Sequence, residues 1–294
     1  MKQFFYLIIC CFLATTSQAQ APNGASENTL LWKITGKGLK FASYLYGTIH
    51  VIPKKDFFIT DSTLSALYQA ESVAFEFNLK KEMRLLPQLR MMSKMRMKGD
   101  TSLDMLLNEE DFELVKLRLQ AKRIPLRLIN RIKPSFISDL VSSSTGDLQS
   151  SETTSYEMEF LRRAKDANKK IDGLETAAYQ MSVFDSIPYS VQAEMLIEEL
   201  RNGSENSGKE YRKLVKIYKR QDLQALGRVM GADGEMSPYN DVLLYNRNRN
   251  WIPVIERLSR KRKMFYAVGA GHLVGEKGVV ALLRKQGYTL TPIK

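Results

Sequence analysis

The chain contains two histidines, and each closes a Gly-x-x-His tetrapeptide that follows an apolar run. The first is Tyr44-Leu45-Tyr46-Gly47-Thr48-Ile49-His50, and the second is Phe265-Tyr266-Ala267-Val268-Gly269-Ala270-Gly271-His272. Histidine is the usual side chain for proton transfer at neutral pH and for metal ligation. One local pattern repeated at both histidines argues for a shared role. Each copy reads as strand, glycine turn, histidine, loop, helix, strand, which suggests an internal pseudo-duplication. Functional groups gather at strand ends in open α/β sheets, so the two histidines are expected to converge on one site.

The N-terminal nineteen residues read as a secretory signal peptide rather than as fold. Lys2 is the charged start, Phe4 to Ala14 the apolar centre, and Ser17-Gln18-Ala19 the small-residue cleavage site. Both cysteines, Cys10 and Cys11, fall in this segment and read as part of it rather than as a lipid-attachment site. The mature chain then has no disulfide, no Cys-ligated zinc and no Cys nucleophile. Residues 20–294 are long enough to bury a core as one domain. No second apolar run reaches membrane length. The expected location is periplasmic or extracellular.

The formal net charge is +12. Basic residues are scattered through Arg84 to Lys98, Arg118 to Lys133 and Arg260 to Lys263, mostly on polar helix faces. This is not the single basic face with interleaved aromatics of a nucleic-acid binder, and none is expected as a partner. A solvated basic surface, or attraction to an anionic envelope surface, fits better.

Along the chain, Leu30 to Ile34 and Ser43 to Tyr46 read as a hairpin around Gly36-Lys37-Gly38. Asp61-Ser62 is expected to cap a short helix carrying Leu64, Leu67 and Tyr68 on one face. Ser72 to Phe77 reads as a strand. Lys80 to Asn130 is mostly helical with a break at Gly99-Asp100, and its six methionines from Met83 to Met105 read as ordinary core, the alternative being an adaptable binding surface. Helices are expected over Glu157 to Lys169 and, kinked at Pro253, over Tyr239 to Leu258. Loops are expected at Gly146 to Thr154, Asn202 to Gly208 and Gly231 to Pro238. Lys170 to Thr176, Met264 to Val268 and Tyr288 to Ile293 read as strands, and Gly278 to Gln286 as a helix.

Glu76 sits inside an apolar run, where a carboxylate must meet something positive or protic. His50, His272 and Glu76 would form a two-His, one-carboxylate set suited to Zn, Mn, Co or Fe(II). Gly47 and Gly269 would permit the turns that present the histidines. The alternative is that both histidines are structural turn residues.

These segments resemble the TraB/PrgY/GumN family, which includes the animal Tiki proteins that behave as metal-dependent proteases. The resemblance is carried by Leu45 to His50, Glu76, Gly173-Leu174-Glu175-Thr176, Arg247-Asn248 before Trp251, Val268 to Leu273, and Gly287-Tyr288. It implies a mixed α/β fold of the erythromycin-esterase and ChaN-like group, with a large helical portion. It also implies a divalent metal (Mn, Co or Zn) at Gly47, His50, Glu76, Gly269 and His272, and a peptide or protein substrate. Arg247 and Asn248 match a recurrent pair in the family; Arg247 reads as structural, paired to Glu175 or Glu157, the alternative being bidentate binding of a substrate carboxylate, and Asn248 reads as satisfying backbone groups. Glu157 matches an acidic position that follows a glycine in the family. Ser155 replaces that glycine here, which puts a role for Glu157 in doubt.

No G-x-S-x-G elbow and no H-E-x-x-H motif is present. Gly269-Ala270-Gly271 departs from the dinucleotide fingerprint. The reading is an exported metal-dependent hydrolase, most simply a peptidase. The competing reading is a non-catalytic envelope protein that binds a peptide, haem or metal through the same histidines.

Overall fold

A computed structural model describes residues 27–141, 152–229 and 237–294. The signal segment, most of the polar N-terminal tail, and most of the expected loops at 146–154 and 231–238 lie outside the described residues. Eight strands are described: β1 (Leu31–Gly36), β2 (Ser43–Thr48), β3 (Ile52–Pro53), β4 (Ser72–Phe77), β5 (Thr153–Thr154), β6 (Lys170–Glu175), β7 (Met264–Gly269) and β8 (Tyr288–Ile293). Six of them form one mixed sheet in the order β6-β4-β7-β2-β1-β8. The fold is therefore mixed α/β with a large helical portion, as the sequence implied.

Four neighbouring strands, β6, β4, β7 and β2, run parallel, and β1 runs antiparallel to both β2 and β8. Every residue of the central strand β7 is buried. A parallel strand covered on both faces reads as a continuous apolar run rather than an alternation, and Met264 to Val268 is one. β8 stands at the sheet edge and begins with alternating buried and exposed residues. Thr48 lies opposite Gly269 and Phe77 opposite Glu175. The carboxyl ends of all four parallel strands thus line up along one side of the sheet.

Helices cover the sheet and extend beyond it. The main core holds Trp32, Tyr46, Phe75, Tyr156, Phe160, Tyr218, Trp251, Phe265 and Tyr266. A second cluster joins Leu103, Val115, Leu119, Ile129, Ile137, Leu196, Ile197 and Leu200. One helix, Tyr189–Lys219, runs through both, because Leu196 to Leu200 pack in the second cluster and Val215 and Tyr218 in the first. This replaces the loop expected over Asn202 to Gly208: tertiary packing at both ends overrides the poor helix propensity of that stretch. No helix of the described residues is long and apolar enough to cross a membrane.

Other local expectations are corrected. Thr60, not Asp61-Ser62, caps the helix Asp61–Gln69 by accepting from the Thr63 N–H, and the buried face is Thr63, Ala66 and Leu67 while Tyr68 is exposed. Lys80 to Asn130 divides into short helices, among them Leu85–Met95 and Glu109–Ala121. The methionines are not a core stripe: Met97 is buried, Met91 and Met95 line a cleft, and Met83, Met92 and Met105 are exposed. The expected helix from Tyr239 begins instead with a π-helical turn, Asp241–Tyr245, followed by the helix Asn246–Lys261 with Pro253 inside it.

Lys133 ties the helical portion together. Its side chain is fully buried, and its ammonium pairs with Asp185 at 2.8 Å and donates to the carbonyls of Lys94 at 2.6 Å and Met181 at 3.0 Å. Burial holds its pKa below the usual lysine value. Removing the ammonium strands two carbonyls and leaves Asp185 with only Lys98 and Tyr189 as partners among the described residues. Lys133→Met is expected to destabilise the fold by about 3 kcal/mol in urea unfolding; a loss below about 1 kcal/mol would show that this hub is dispensable.

Candidate active site

The strand ends deliver the chemistry. His50 follows β2, Glu76 lies near the end of β4, Glu175 ends β6, and His272 follows β7 by one 3-10 turn. Since β2 and β7 are parallel neighbours, the two Gly-x-x-His segments emerge side by side. A Cβ placed on Gly269 would lie 3.2 Å from Glu76 Oε1, 3.6 Å from His272 Cδ2 and 3.9 Å from His50 Nε2. Three side chains from three strand ends therefore surround one point.

Both imidazoles are oriented through Nδ1. His272 Nδ1 lies 2.6 Å from Asn248 Oδ1, so Nδ1–H donates and Nε2 carries the lone pair. That Nε2 lies 3.3 Å from Arg247 Nη1 and 3.7 Å from Glu76 Oε1. Burial holds the His272 pKa down to about 3, which keeps the ring neutral. His50 Nδ1 lies 3.0 Å from Glu157 Oε1, and this hydrogen bond raises its pKa. Unlike His272, the His50 side chain is largely open to solvent, at 70 % exposure.

Glu157 itself accepts from Thr48 Oγ1 at 2.6 Å and from Ser155 Oγ at 2.8 Å. The carboxylate reaches the site despite the Ser155 replacement. Ser155 sits in ordinary extended conformation and caps the helix Tyr156–Asp166, so no glycine is needed there to bring the carboxylate to His50.

Arg247 sits at the centre. Its Nη2 donates to Glu76 Oε2 and Glu175 Oε1, both at 2.6 Å, and its Nε donates to Glu175 at 3.0 Å. Of the two partners expected, Glu175 is found and Glu157 is not; Glu76 takes the second place. Trp251 Nε1 completes Glu175 at 2.9 Å, and the indole ring stacks obliquely on His272, with centroids 4.4 Å apart. Glu76 also accepts from the Gly269 N–H at 2.9 Å and from Gln180 Nε2 at 2.8 Å. Burial raises the Glu76 pKa, but the Arg247 guanidinium and the Gly269 N–H outweigh it and hold the carboxyl below the usual carboxylate range. Asn248 donates to the Lys277 carbonyl at 2.9 Å, the backbone role expected of it.

The two motif glycines act by closeness, not by unusual backbone angles. Gly269 has φ −52°, and Gly47 is not among the positive-φ residues. A side chain on Gly47 would meet Ala270 Cα and Leu273 Cδ2 at 3.1 Å, and one on Gly269 would fill the point where the three side chains meet. Sequence reasoning missed Gln180, Thr48 and the tyrosine supports. Tyr218 OH donates to the Gly47 carbonyl at 2.9 Å and Tyr211 OH to that of Val51 at 2.8 Å. No motif marks Gln180, Tyr211 or Tyr218, because their roles exist only once distant helices dock; Thr48 lies within the first histidine motif, but its role needs Glu157 from a distant helix.

The site opens into a cleft of about 730 Å³ with Phe75, Phe77, Met91, Met95, Phe136 and Phe184 among its walls. By donor type the set suits a divalent ion: His272 Nε2 lies 3.7 Å from Glu76 Oε1, His50 Nε2 comes to the same point beside Gly269, and both Nδ1 atoms are engaged by oxygen acceptors, the arrangement that aims ligating imidazoles. Among the described residues, no group of three or more His, Cys, Asp or Glu is already drawn to metal-holding distances.

Arg247→Met would leave Glu76 and Glu175 buried without a cation. The expected loss is about 3 kcal/mol near pH 8. Their folded pKa values would then exceed the unfolded ones, so the loss should shrink as pH falls toward 5 and the carboxyls protonate. Urea unfolding at several pH values checks this; a pH-independent loss would contradict it.

Comparison with known proteins follows the same residues. The model of the TraB/PrgY/gumN family matches residues 30–292. A protein named Metalloprotease TIKI homolog, from Amphimedon queenslandica, is 24 % identical over 333 residues, covering 94 % of this chain and 64 % of its own length. The chain thus spans less than two thirds of that relative. No solved structure matches. With the family match running from β1 to β8 and through every residue of the site, the chain belongs to the TraB/PrgY/gumN family.

Proposed function

We propose that this protein is an exported metal-dependent hydrolase acting on peptide bonds. The observation that carries the reading is the pair of oriented imidazoles, each with Nδ1 on an oxygen acceptor, gathered with Glu76 about Gly269. The likeness to a protein named as a metalloprotease supports it. His50 Nε2, His272 Nε2 and Glu76 Oε1 would hold the ion, and Mn, Co and Zn all suit this donor set. Bound there, the ion would supply polarisation of the scissile carbonyl and a water acidic enough to attack near neutral pH.

The chain's own residues have distinct parts. Glu157 and Asn248 orient the imidazoles. Glu76 accepts three donors and stays ionised, the state in which it would serve as a ligand or as a general base. Arg247 fixes Glu76 and offers positive charge beside the reacting centre. The apolar cleft walls limit water around a bound substrate. Kinship to the erythromycin-esterase and ChaN-like group, and internal duplication, belong to the same proposal; the side-by-side emergence of both Gly-x-x-His segments supports them.

Peptide cleavage should require added Mn, Co or Zn, stop with chelator, and fall to background in His50→Ala and His272→Ala while the circular dichroism spectrum is kept. Glu157→Gln should weaken metal affinity about 10- to 100-fold, read by isothermal titration calorimetry. Metal-independent cleavage, or stoichiometric peptide binding without turnover, would overturn the hydrolase and favour a binding protein.

A further inference from the structure

The helix Leu85–Met95 flanks the cleft and presents opposite faces to protein and solvent. Met91 and Met95 line the cleft. The helix end is fixed to the body by backbone contacts: the Lys94 carbonyl accepts from Lys133 Nζ at 2.6 Å, and the Met95 carbonyl accepts from the Lys133 N–H at 2.9 Å. None of its eleven residues is buried. On the outer side, Leu85, Leu86, Leu89 and Met92 are 69, 68, 53 and 58 % exposed, and Met83 just before them is 55 % exposed. A contiguous apolar face left in water on an anchored helix marks an interaction surface.

The charge around that face says what it meets. From Met83 to Gly99 there is no acidic residue, while Arg84, Arg90, Lys94, Arg96 and Lys98 are basic, and all five are exposed. Lys98 also pairs with Asp185. At 100° per residue, Arg90 and Lys94 flank the leucine face on one side. Leucines that protrude from a convex helix, rather than line a groove, suit a fluid hydrocarbon better than a peptide, which would need a cleft and backbone partners. A second copy of the chain would set the same cations against one another. An apolar face with a basic flank and no acid is the composition of a helix that lies in a membrane interface.

We propose that this helix docks the protein on an anionic lipid bilayer. Leu85, Leu86, Leu89 and Met92 enter the boundary between headgroups and acyl chains, the basic residues meet lipid phosphates, and the adjoining cleft is held over the membrane surface. The inference is independent of the chemistry assigned to the histidines.

Vesicle sedimentation tests it, on the full chain and on the chain without residues 1–19, so that the apolar N-terminal segment is not the element measured. Vesicles of phosphatidylcholine containing about a third phosphatidylglycerol should bind the protein, and pure phosphatidylcholine should bind it at least about tenfold more weakly. High salt should weaken the binding by a similar factor. The exposed double substitution Leu86→Asp/Leu89→Asp and the triple Arg84→Gln/Arg90→Gln/Lys94→Gln should each reduce partitioning at least about tenfold, with unchanged circular dichroism and melting temperature. Equal binding to both vesicle types, or variants that partition like wild type, would overturn the proposal. So would absent vesicle binding together with self-association, or capture of an apolar peptide, that Leu86→Asp/Leu89→Asp abolishes.

Discussion

The guanidinium of Arg247 is the interaction on which the site depends. It is buried among Glu76 and Glu175, beside the neutral ring of His272 and close to the face of Trp251. Two carboxylates at the ends of β4 and β6 cannot stay ionised in a buried site without it. Through Glu76, which also takes the Gly269 N–H, it couples the ends of β4 and β7. One residue on the helix Asn246–Lys261 thereby holds three strand ends and a histidine in register.

Sheet order makes that convergence possible. β7 lies between β4 and β2, although it follows them only after most of the chain has intervened. Parallel pairing aligns carboxyl ends, so every loop leaving β2, β4, β6 and β7 starts on the same side. The helices then add what strands cannot. Glu157 reaches His50 from Tyr156–Asp166, Gln180 reaches Glu76 from Ala177–Val183, and Tyr218 fixes the Gly47 carbonyl from the long helix. The two histidines end in unlike surroundings: His272 is enclosed and neutral, and His50 is open and engaged by a carboxylate. Both line the cleft, His50 at its exposed side and His272 buried.

The methionine-rich segment shows how the same residues change meaning with context. In sequence its spacing reads as core, because Met and Leu recur at helical intervals. In the fold, the helix Leu85–Met95 packs only one side, leaving Met91 and Met95 in the cleft wall and the leucines outside. Periodicity reports that a helix has an apolar face; it does not report whether protein, ligand or another phase covers it.

What could be read from the chain alone was whatever local chemistry repeats or stands out. The apolar strands, the Gly36-Lys37-Gly38 hairpin, the two histidine motifs and a carboxylate inside an apolar strand all declare themselves in a few consecutive residues. Tertiary structure decided the rest. It made β2 and β7 neighbours, gave Arg247 the partners Glu175 and Glu76 and not Glu157, placed Glu157 against His50, and carried one helix through Asn202 to Gly208. Each of these turns on pairing between residues far apart in the chain, whose free energy exists only after distant elements meet; local propensity, at a fraction of a kcal/mol per residue, is too weak to encode it.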